Sequence, residues 1–409
     1  MKSLVLILAL ASSLSSQTSL SQLTSNNTSA VRGLSTQPAN VSKLPIRSLL
    51  YPGATTKVLV RYMGWYGSPK HKDVGYRSDS APQVRRQVDD MFSRGIDGAI
   101  VAWYGPQNQP GNRSTQLLFA EAERHPGFKV AVSIDSGAFD QCKQGCDETS
   151  EFIRLLHYVE QNYESSSAYL RVNGRPLVTS FGLEKRNIDW DRVRAEARDN
   201  PLFIFRNSGG FNHAQSDGAF SWVAPETVNS NDPLATEYLK RFNRVGSESR
   251  GKLIVASAYK GFDDSQASWS KHFKIAENCG QTWLATFDVI NSIYSSRNQL
   301  PFLLIPTWND YEEGTEIETG IDNCVSIEAS VRSNRLQWKV NGLDKTIDHF
   351  EIFASKDGTS LTQIGTAEAR DHDYNLKQLP SGTRVLFVRA VGRPSIRNQI
   401  SGPVQVNRN

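Results

Sequence analysis

The sequence predicts an α/β protein with two folded parts, a (β/α)8 barrel of the TIM type followed by a small all-β sandwich. Apolar, strand-like segments alternate with amphipathic, helix-like segments from residue 57 to residue 307, which is the pattern of a parallel barrel. After residue 323 the pattern changes to the period-two alternation of antiparallel strands. At 409 residues, the chain is long enough for a barrel of about 250 residues and an appended module.

Eight short apolar runs predict the strands of the barrel, which is expected to occupy residues 51–323. The runs are residues 57–63, 98–103, 128–134, 177–181, 202–206, 219–223, 253–258 and 302–307. Amphipathic stretches that predict helices fall between them, among them residues 82–94, 114–124, 149–162 and 282–292. The sixth repeat is the least regular, because residues 207–228 are rich in Gly, Ser and Asn.

Residues 324–409 predict a separate β-sandwich. Strand-like segments at 335–340, 349–354 and 384–391 are separated by turns such as Lys356-Asp357-Gly358, and Trp338 is the expected core residue. The segment 374–382, which contains Tyr-Asn-Leu and then Leu-Pro-Ser-Gly, resembles the corner before a late strand of a fibronectin type III module. The resemblance implies an immunoglobulin/fibronectin-like sandwich, whose role as a spacer, a packing partner or a carbohydrate binder stays open.

The N-terminus predicts export. Residues 1–17 combine a charged start, an apolar run at 4–11 and small residues, which is the pattern of a secretory signal peptide. The apolar run is too short to span a bilayer. Residues 18–50 are rich in Ser and Thr and predict a flexible leader. The mature protein is therefore expected to be secreted, extracellular or periplasmic, without membrane insertion.

Four cysteines agree with an oxidising compartment. They allow three pairings, of which Cys142 with Cys146 and Cys279 with Cys324 is preferred. A zinc site at the first pair is the alternative, but no His stands near enough in sequence to complete an obvious ligand set.

Charge restricts the class of partner. The formal net charge of +4 lies within residues 325–409, so the remainder of the chain is neutral. A neutral barrel without a basic patch argues against nucleic acid and fits an uncharged substrate.

The loop after the eighth strand is the most informative segment. Residues 306–316 read Pro-Thr-Trp-Asn-Asp-Tyr-Glu-Glu-Gly-Thr-Glu, so Asp310 and Glu313 lie three residues apart among aromatic side chains. Two carboxyl groups that flank the scissile bond are the machinery of glycoside hydrolysis, and aromatic rings offer faces for sugars. Solvated acids or helix caps are the alternative interpretation. The uncharged strand before the loop favours a site, because catalytic loops of parallel barrels follow strand ends.

Several motifs carry a family resemblance. Residues 308–315 resemble the Trp/Phe-Asn-Glu/Asp-aromatic-x-Glu-Gly-Thr motif of glycoside hydrolase family 99, and residues 308–311 also resemble the corresponding loop of family 71. Residues 64–76 resemble the first-strand loop of family 99, and residues 95–105 resemble its second strand. Residues 217–222 resemble a signature of family 71. The resemblance covers roughly residues 57–322 and implies a barrel enzyme.

The resemblance also implies roles for the two acids. Glu313 aligns with the general acid/base of family 99, and Asp310 aligns with the second catalytic carboxylate. Family 99 has Glu at the position of Asp310, whereas family 71 has Asp in the equivalent loop. The chain therefore fits a relative of both families.

Further candidate substrate contacts lie where the predicted strands end, although single rings are often core residues and Asp135 could instead cap a helix. They are Trp65, Tyr66, His71 and Tyr76 after the first strand, Trp103 and Tyr104 after the second, Asp135 after the third, Asn207 after the fifth, Trp222 after the sixth, Tyr259 after the seventh, and Trp308, Asn309, Tyr311 and Glu316 after the eighth.

These features predict a secreted, monomeric, endo-acting α-glycosidase of the family 71/99 type that needs no cofactor or metal. Its substrate is expected to be an α-mannan or an α-glucan; the choice of sugar and the stereochemical outcome stay open. A non-catalytic carbohydrate-binding protein on a degenerate barrel is the alternative, which Asp310 favours and Glu313 and Asn309 oppose. A metal-dependent polysaccharide-modifying enzyme is the third possibility, for which the sequence offers no clear His/Asp ligand cluster.

Overall fold

The computed structural model describes residues 17–24, 40–140, 142–143 and 145–406. The predicted signal peptide, residues 1–17, lies outside the described residues except for Gln17. Two compact units divide the described residues. One contains residues 40–324 and 392–397, and the other contains residues 17–24, 325–391 and 398–406.

The first unit is built on a ring of eight parallel strands. In the order of the chain they are β1 (Lys57–Met63), β2 (Gly98–Trp103), β3 (Lys129–Asp135), β4 (Arg175–Phe181), β5 (Leu202–Arg206), β6 (Gly218–Phe220), β7 (Leu253–Ser257) and β8 (Phe302–Ile305). Each strand pairs with its neighbours in sequence, and β8 pairs with β1 to close the barrel. The predicted (β/α)8 fold and its eight strand positions are confirmed.

The strands are apolar because a parallel barrel buries both of their faces. Alternate residues of β1 contact different apolar clusters. Val58 and Val60 join the cluster that contains Val84 of the first barrel helix, whereas Leu59 joins the cluster that contains Leu304 of β8. This alternation separates a layer between sheet and helices from a layer inside the barrel.

Six helices connect the barrel strands within the described residues. They are α1 (Ala81–Ser93), α2 (Gln109–Ala122), α3 (Glu148–Asn162), α4 (Trp190–Glu196), α5 (Thr236–Glu248) and α6 (Gln281–Asn291). Asp147 and Asp189 begin α3 and α4 by accepting hydrogen bonds from free backbone N–H groups. Between β5 and β6 the structure has only the 3-10 helix Ser208–Asn212, in agreement with the irregular composition of that repeat.

Short elements complete this unit. The 3-10 helices are Ile46–Leu49, Ser136–Phe139, Pro225–Thr227 and Asp264–Gln266, and the short strands are Arg171–Val172, Phe262–Asp263 and Lys274–Ile275. Both predicted disulfides, Cys142–Cys146 and Cys279–Cys324, are present. None of the described helices combines the length and apolar character that a membrane span requires.

The described parts of the predicted flexible leader, residues 18–50, are structured, which corrects that prediction. Gln17–Ser19 is a strand and Leu20–Thr24 is a short helix. Ile46 is fully buried against the barrel, and Lys43 forms an ion pair with Asp90 of α1. The Ser- and Thr-rich composition concealed the few apolar residues that anchor these segments.

The second unit is entirely β apart from Leu20–Thr24 and the 3-10 helix Asp344–Thr346 within its described residues. Its strands are β9 (Ser326–Arg332), β10 (Arg335–Asn341), β11 (Ile347–Ser355), β12 (Ser360–Glu368), β13 (Asp373–Asn375), β14 (Val385–Gly392), β15 (Gln399–Ile400) and β16 (Val404–Gln405). One sheet has the order β9, β10, β13, and the other has β11 between β12 and β14. Trp338 is buried edge-on to Phe350, as expected of a core residue.

Candidate active site

A cavity of about 340 Å³ lies at the carboxyl ends of the barrel strands. Its walls come from β1, β3 and β4 and from the connections that follow β1, β2, β3, β4, β6, β7 and β8. The lining residues are Arg61, Met63, Trp65, His71, Tyr104, Asp135, Ser136, Phe181, Gly182, Trp222, Trp269, Asp310 and Glu313. Because catalytic groups of parallel barrels occupy this end, the cavity is the candidate active site.

Asp310 is fully buried and firmly held. Its Oδ1 accepts hydrogen bonds from the backbone N–H groups of Glu312 (3.0 Å) and Glu313 (2.9 Å). Its Oδ2 is buried without a hydrogen-bond partner among the described residues. Burial raises the pKa of Asp310, the two N–H donors oppose the rise, and the negative charges of Glu312 and Glu316 add to it. One carboxylate oxygen is thus fixed, and the other is left available.

Glu313 lies beside Asp310 and remains partly accessible from the cavity. Burial raises its pKa, and the charge of Asp310 raises it further, while Arg61 opposes both effects. Two carboxyl groups in such proximity titrate as a coupled pair, so one of them retains a proton well above the ordinary range of a carboxylic acid. The pair therefore offers a proton donor next to a proton acceptor.

Asn309 fastens this loop to the first strand. Its side-chain oxygen accepts from the backbone N–H of Met63 (2.9 Å), and its Nδ2 donates to the carbonyl of the same residue (3.0 Å). The N–H of Trp308 donates to the carbonyl of Arg61 (2.7 Å). These bonds continue the β8–β1 pairing beyond the end of β8 and set the position of the two acids.

An aromatic wall, formed by Trp65, His71 and Trp269, bounds one side of the cavity. His71 stacks on Trp65 at a centroid distance of 4.4 Å, and Trp269 meets both rings edge-on at 6.0 Å. Glu312 holds the wall from behind. It accepts from His71 Nδ1 (2.9 Å) and from the backbone N–H of Lys72 (2.8 Å).

Arg61 and Asp135 lie at the bottom of the cavity, inside the barrel. Arg61 donates to Ser133 (3.0 Å) and lies 3.5 Å from Asp135, while its Nε has no hydrogen-bond partner in the described part of the chain. Asp135 also accepts from the N–H of Gly137 (3.0 Å), so it is both a helix cap and a cavity residue. Burial raises the pKa of Asp135, and Arg61 opposes that rise.

A second layer of tyrosines supports the loop without lining the cavity. Glu318 accepts from Tyr76 (2.9 Å), Tyr311 (2.7 Å) and Gln87 (2.7 Å). The hydroxyl of Tyr66 accepts from the backbone N–H of Tyr311 (3.0 Å). Tyr66, Tyr76 and Tyr311 were predicted as substrate contacts, but the structure places them in the packing behind the carboxylates.

Other predicted contacts also lie outside the cavity lining. Trp103 donates to Asn112 (3.0 Å), Tyr259 donates to the carbonyl of Leu234 (2.8 Å), and the Trp308 ring lies under the Arg94 guanidinium at 4.9 Å. Glu316 forms an ion pair with Lys260 (3.0 Å). Asn207 lines a different cavity, next to β5. Position at a strand end alone therefore does not distinguish packed side chains from those that face the cavity.

The sequence did identify Trp65, His71, Tyr104, Asp135, Trp222, Asp310 and Glu313, which the structure brings together. It missed Arg61, Met63, Ser136, Phe181, Gly182 and Trp269. Two of these carried a signal. Arg61 is a charge within the apolar part of β1, residues 58–63, and Trp269 is a large ring, 44% exposed, in a loop of small polar residues.

One group of metal-ligand type side chains occurs elsewhere among the described residues. Atoms of Asp89, Glu121 and His125 lie within 4.8 Å of one another, on α1 and around the end of α2. His125 already donates to Asp89 (2.8 Å), and Glu121 is paired with Arg124 (3.2 Å). These contacts give the three side chains hydrogen-bond and ion-pair partners of their own, as in an ordinary surface network.

The model of Glycosyl hydrolase family 71 matches residues 74–329 of the chain. Among solved structures, the GH99 endo-alpha-mannosidase from Bacteroides thetaiotaomicron is similar over 65% of this chain and 88% of that chain, with a TM-score of 0.51 and 18% sequence identity. The same type of enzyme in complex with bis-tris-propane gives a TM-score of 0.52 and 19% identity over 65% of this chain and 87% of that chain. No curated protein matches in sequence. At these identities the structural likeness supports the barrel fold.

Proposed function

The chain belongs to glycosyl hydrolase family 71, and from this premise we propose that it hydrolyses internal α-glycosidic bonds of an α-mannan or an α-glucan. One observation carries the proposal: Asp310 and Glu313 share one cavity, and burial raises the pKa of both. An acid that keeps its proton beside an ionised partner is what glycoside hydrolysis requires.

The surroundings of the two acids suggest their roles. Asp310 accepts two backbone N–H groups, which favours its ionised form, and Glu313 lies next to that negative charge. In the proposed reaction Glu313 donates its proton to the leaving glycosidic oxygen as the bond to the anomeric carbon breaks. Asp310 Oδ2 accepts the proton of the attacking oxygen. The leaving oxygen then carries the proton from Glu313 and the anomeric carbon carries the hydroxyl. Asp310 afterwards releases the proton that it accepted, and Glu313 takes up a proton from solvent, so that across the reaction one water is added and both acids return to their starting states.

The substrate is proposed to be a neutral glycan. Trp65, His71 and Trp269 present rings against which the apolar face of a sugar can stack. In the cavity lining the charge of Arg61 faces three carboxyl groups, which opposes binding of an acidic polymer. Within the described residues, Asp310 Oδ2 has no partner, and this supports catalysis over the alternative of a binding protein, because such a buried oxygen is costly unless it is used.

The proposal also covers the export of the protein and the role of its second unit. Two disulfides fit an oxidising compartment, which supports a secreted or periplasmic protein with the predicted signal peptide. We propose that residues 51–323 form the hydrolase domain and that residues 324–409 form a fibronectin type III-like sandwich with an accessory role. A monomer that needs no cofactor is expected to suffice for the reaction.

The test is reducing-end release from a panel of α-mannans and α-glucans by wild type, Glu313→Gln and Asp310→Asn. Glu248→Gln serves as the control, because Glu248 is an exposed carboxylate on α5. We expect cleavage of one polymer class, unchanged in the control and reduced by about 100-fold to 10,000-fold in each site variant. Retained cleavage in both site variants would contradict the assignment. Binding without cleavage by wild type would favour the carbohydrate-binding protein.

A further inference from the structure

A second cavity, of about 390 Å³, opens at the carboxyl ends of β4 and β5. It is on the same end of the barrel as the candidate active site, because all eight strands are parallel. Its lining includes Glu184, Arg186, Trp190, Arg206 and His213. None of these residues takes part in the chemistry proposed for Asp310 and Glu313.

The two cavities share a wall. The Phe181 ring lines the first cavity, with the Arg61 guanidinium 4.5 Å from its centroid and the Arg206 guanidinium 4.7 Å from it. Arg61 lines the first cavity and Arg206 lines the second. The next residue, Gly182, is exposed and has φ of +72°. Because Gly182 has no side chain, the rim between the cavities is low at this residue, and a Cβ there would lie 2.8 Å from Ser136 Oγ.

The lining of the second cavity suits a neutral, hydroxyl-rich ligand. Its two cations are already paired, Arg206 with Glu184 (2.6 Å) and Arg186 with Glu148 (2.6 Å). Such pairs provide donors and acceptors without a net charge that would select an anion. Trp190 and His213 add ring surface to these polar groups.

His213 is prepared as an acceptor. Its ring stacks on Phe205 at a centroid distance of 3.8 Å, and its Nδ1 donates to the carbonyl of Ala214 (2.7 Å). This bond fixes the tautomer, so in the neutral ring Nε2 carries the lone pair. Nε2 makes no hydrogen bond within the part of the chain that the structure describes. A sugar hydroxyl is a suitable donor for it.

We propose that the second cavity is a distal subsite that binds a further neutral glycosyl unit of the same glycan chain whose cleavable bond lies at Asp310 and Glu313. The inference rests on the proposed function and deepens it. The glycan would cross the low rim at Gly182, and the enzyme would discriminate between substrates by their length. Occupancy of both cavities uses binding energy from a part of the substrate remote from the reacting bond.

Filling the cavity at Gly209 tests the proposal. Gly209 is an exposed residue of its rim, and a Cβ there meets nothing within 4 Å, so Gly209→Trp adds a ring without a local clash. Gly209→Ala shows whether the backbone tolerates a side chain. Gly402→Trp adds the same ring at another exposed, open glycine in the second unit. All variants are assayed for kcat/KM on oligosaccharides of increasing length, made from the polymer that wild type cleaves.

We expect Gly209→Trp to lower kcat/KM on the longest oligosaccharides at least tenfold, chiefly through KM, and to leave the shortest cleaved substrate unaffected. Gly209→Ala and Gly402→Trp should match wild type at every length. Equal kcat/KM for Gly209→Trp and wild type on long chains would overturn the subsite. Loss on long and short substrates alike would also overturn it, since the effect would then come from the active site or from the fold.

This outcome is separate from that of the proposed function. If wild type cleaves short substrates and Gly209→Trp shows no length effect, the hydrolase stands and the subsite fails. If wild type cleaves nothing, calorimetric titration with oligosaccharides of increasing length from the α-mannans and α-glucans of the panel still decides about the second cavity. Weaker binding of long chains by Gly209→Trp would support it, and equal binding would contradict it.

Discussion

Asp310 keeps a carboxylate in a fully buried position by accepting two backbone N–H groups, and this arrangement makes activity depend on pH in a specific way. The proposed reaction needs ionised Asp310 and protonated Glu313. Below the pKa of Asp310 the base is lost, and above the pKa of Glu313 the acid is lost. Because both pKa values are raised, the whole active window shifts upward.

We expect a bell-shaped plot of kcat/KM against pH whose acidic limb lies clearly above the ordinary carboxyl range of about 4. The measurement is initial rates of wild type across the pH range at low substrate concentration, with a check that the protein stays folded at each pH. An acidic limb at the ordinary pKa of an Asp or Glu side chain would contradict the burial argument.

The same raised pKa affects stability. A carboxyl group whose pKa is higher in the folded state than in the unfolded state stabilises the fold fully below its unfolded pKa. That contribution is lost as the pH rises towards the folded pKa. Glu313→Gln should abolish this loss of stability at higher pH, because a neutral amide replaces the carboxyl group whose pKa is raised.

We expect Glu313→Gln, whose activity should be strongly reduced, to be more stable than wild type near neutral pH, by about 1 kcal/mol in the free energy of unfolding. The gain should shrink as the pH falls towards about 4, where the wild-type side chain is protonated in both states. Urea unfolding at two pH values measures the difference. A gain that does not change with pH would point to packing instead of ionisation.

At the residue scale, the sequence located the two acids that line the cavity better than it located the residues around them. Asp310 and Glu313 stood out because they lie among aromatic side chains in a loop that follows an uncharged strand. Tyr66 and Tyr76 were misplaced because a ring near a strand end can face either the cavity or the helices, and sequence does not record the direction. Arg61 was overlooked because its cost of burial is offset by contacts with residues far away in sequence, such as Asp135 and Phe181.

The loop after β1, residues 64–80, is held in place by contacts with another loop. Glu312, from the loop after β8, accepts from His71 and from the N–H of Lys72. His71 in turn stacks on Trp65. The aromatic wall therefore depends on a carboxylate that does not itself line the cavity.

We expect Glu312→Ala to raise KM about tenfold, with a smaller change in kcat, because the wall loses its support while Asp310 and Glu313 keep their own contacts. Steady-state kinetics on the cleaved polymer measures both constants. Glu312→Gln should recover part of the affinity, since its amide oxygen can still accept from Lys72. A fall in kcat with unchanged KM would instead assign Glu312 to the chemistry.

Elements whose pattern reflects burial were predicted well. All eight barrel strands were located because both faces of each are covered, which leaves nearly continuous apolar runs. The structure of the connection between β5 and β6 could not be predicted from the sequence, because Asn207 has a φ of +65° and the 3-10 helix after it has no amphipathic repeat. The first residues of the barrel unit were predicted to be flexible because their buried residues, such as Val41 and Ile46, are few and lie among polar ones.

At the scale of the whole molecule, the two disulfides close loops of very different length. Cys279 and Cys324 are 45 residues apart, whereas Cys142 and Cys146 are four apart. A disulfide stabilises the folded protein by lowering the chain entropy of the unfolded state, and the effect grows with loop length. The expected contribution to the free energy of unfolding is about 4 kcal/mol for the longer loop and about 2 kcal/mol for the shorter one.

We expect the double variant Cys279→Ser/Cys324→Ser to unfold at a clearly lower denaturant concentration than Cys142→Ser/Cys146→Ser. Guanidinium unfolding of both variants and of wild type gives the comparison. Reduction of wild type with a thiol should lower its stability towards that of the first variant. Equal stabilities of the two variants would show that the longer loop is already constrained in the unfolded state.

The hydrogen bonds between Asn309 and Met63 join positions 246 residues apart in sequence. During synthesis, a chain that has left the ribosome only as far as Leu300 would possess the rings of its aromatic wall and yet lack both acids. Contacts of such long range form slowly, after local helices. Hydrolytic activity would thus appear late in folding, when β8 pairs with β1 and closes the barrel. The rate at which activity recovers during refolding would then measure the rate of barrel closure.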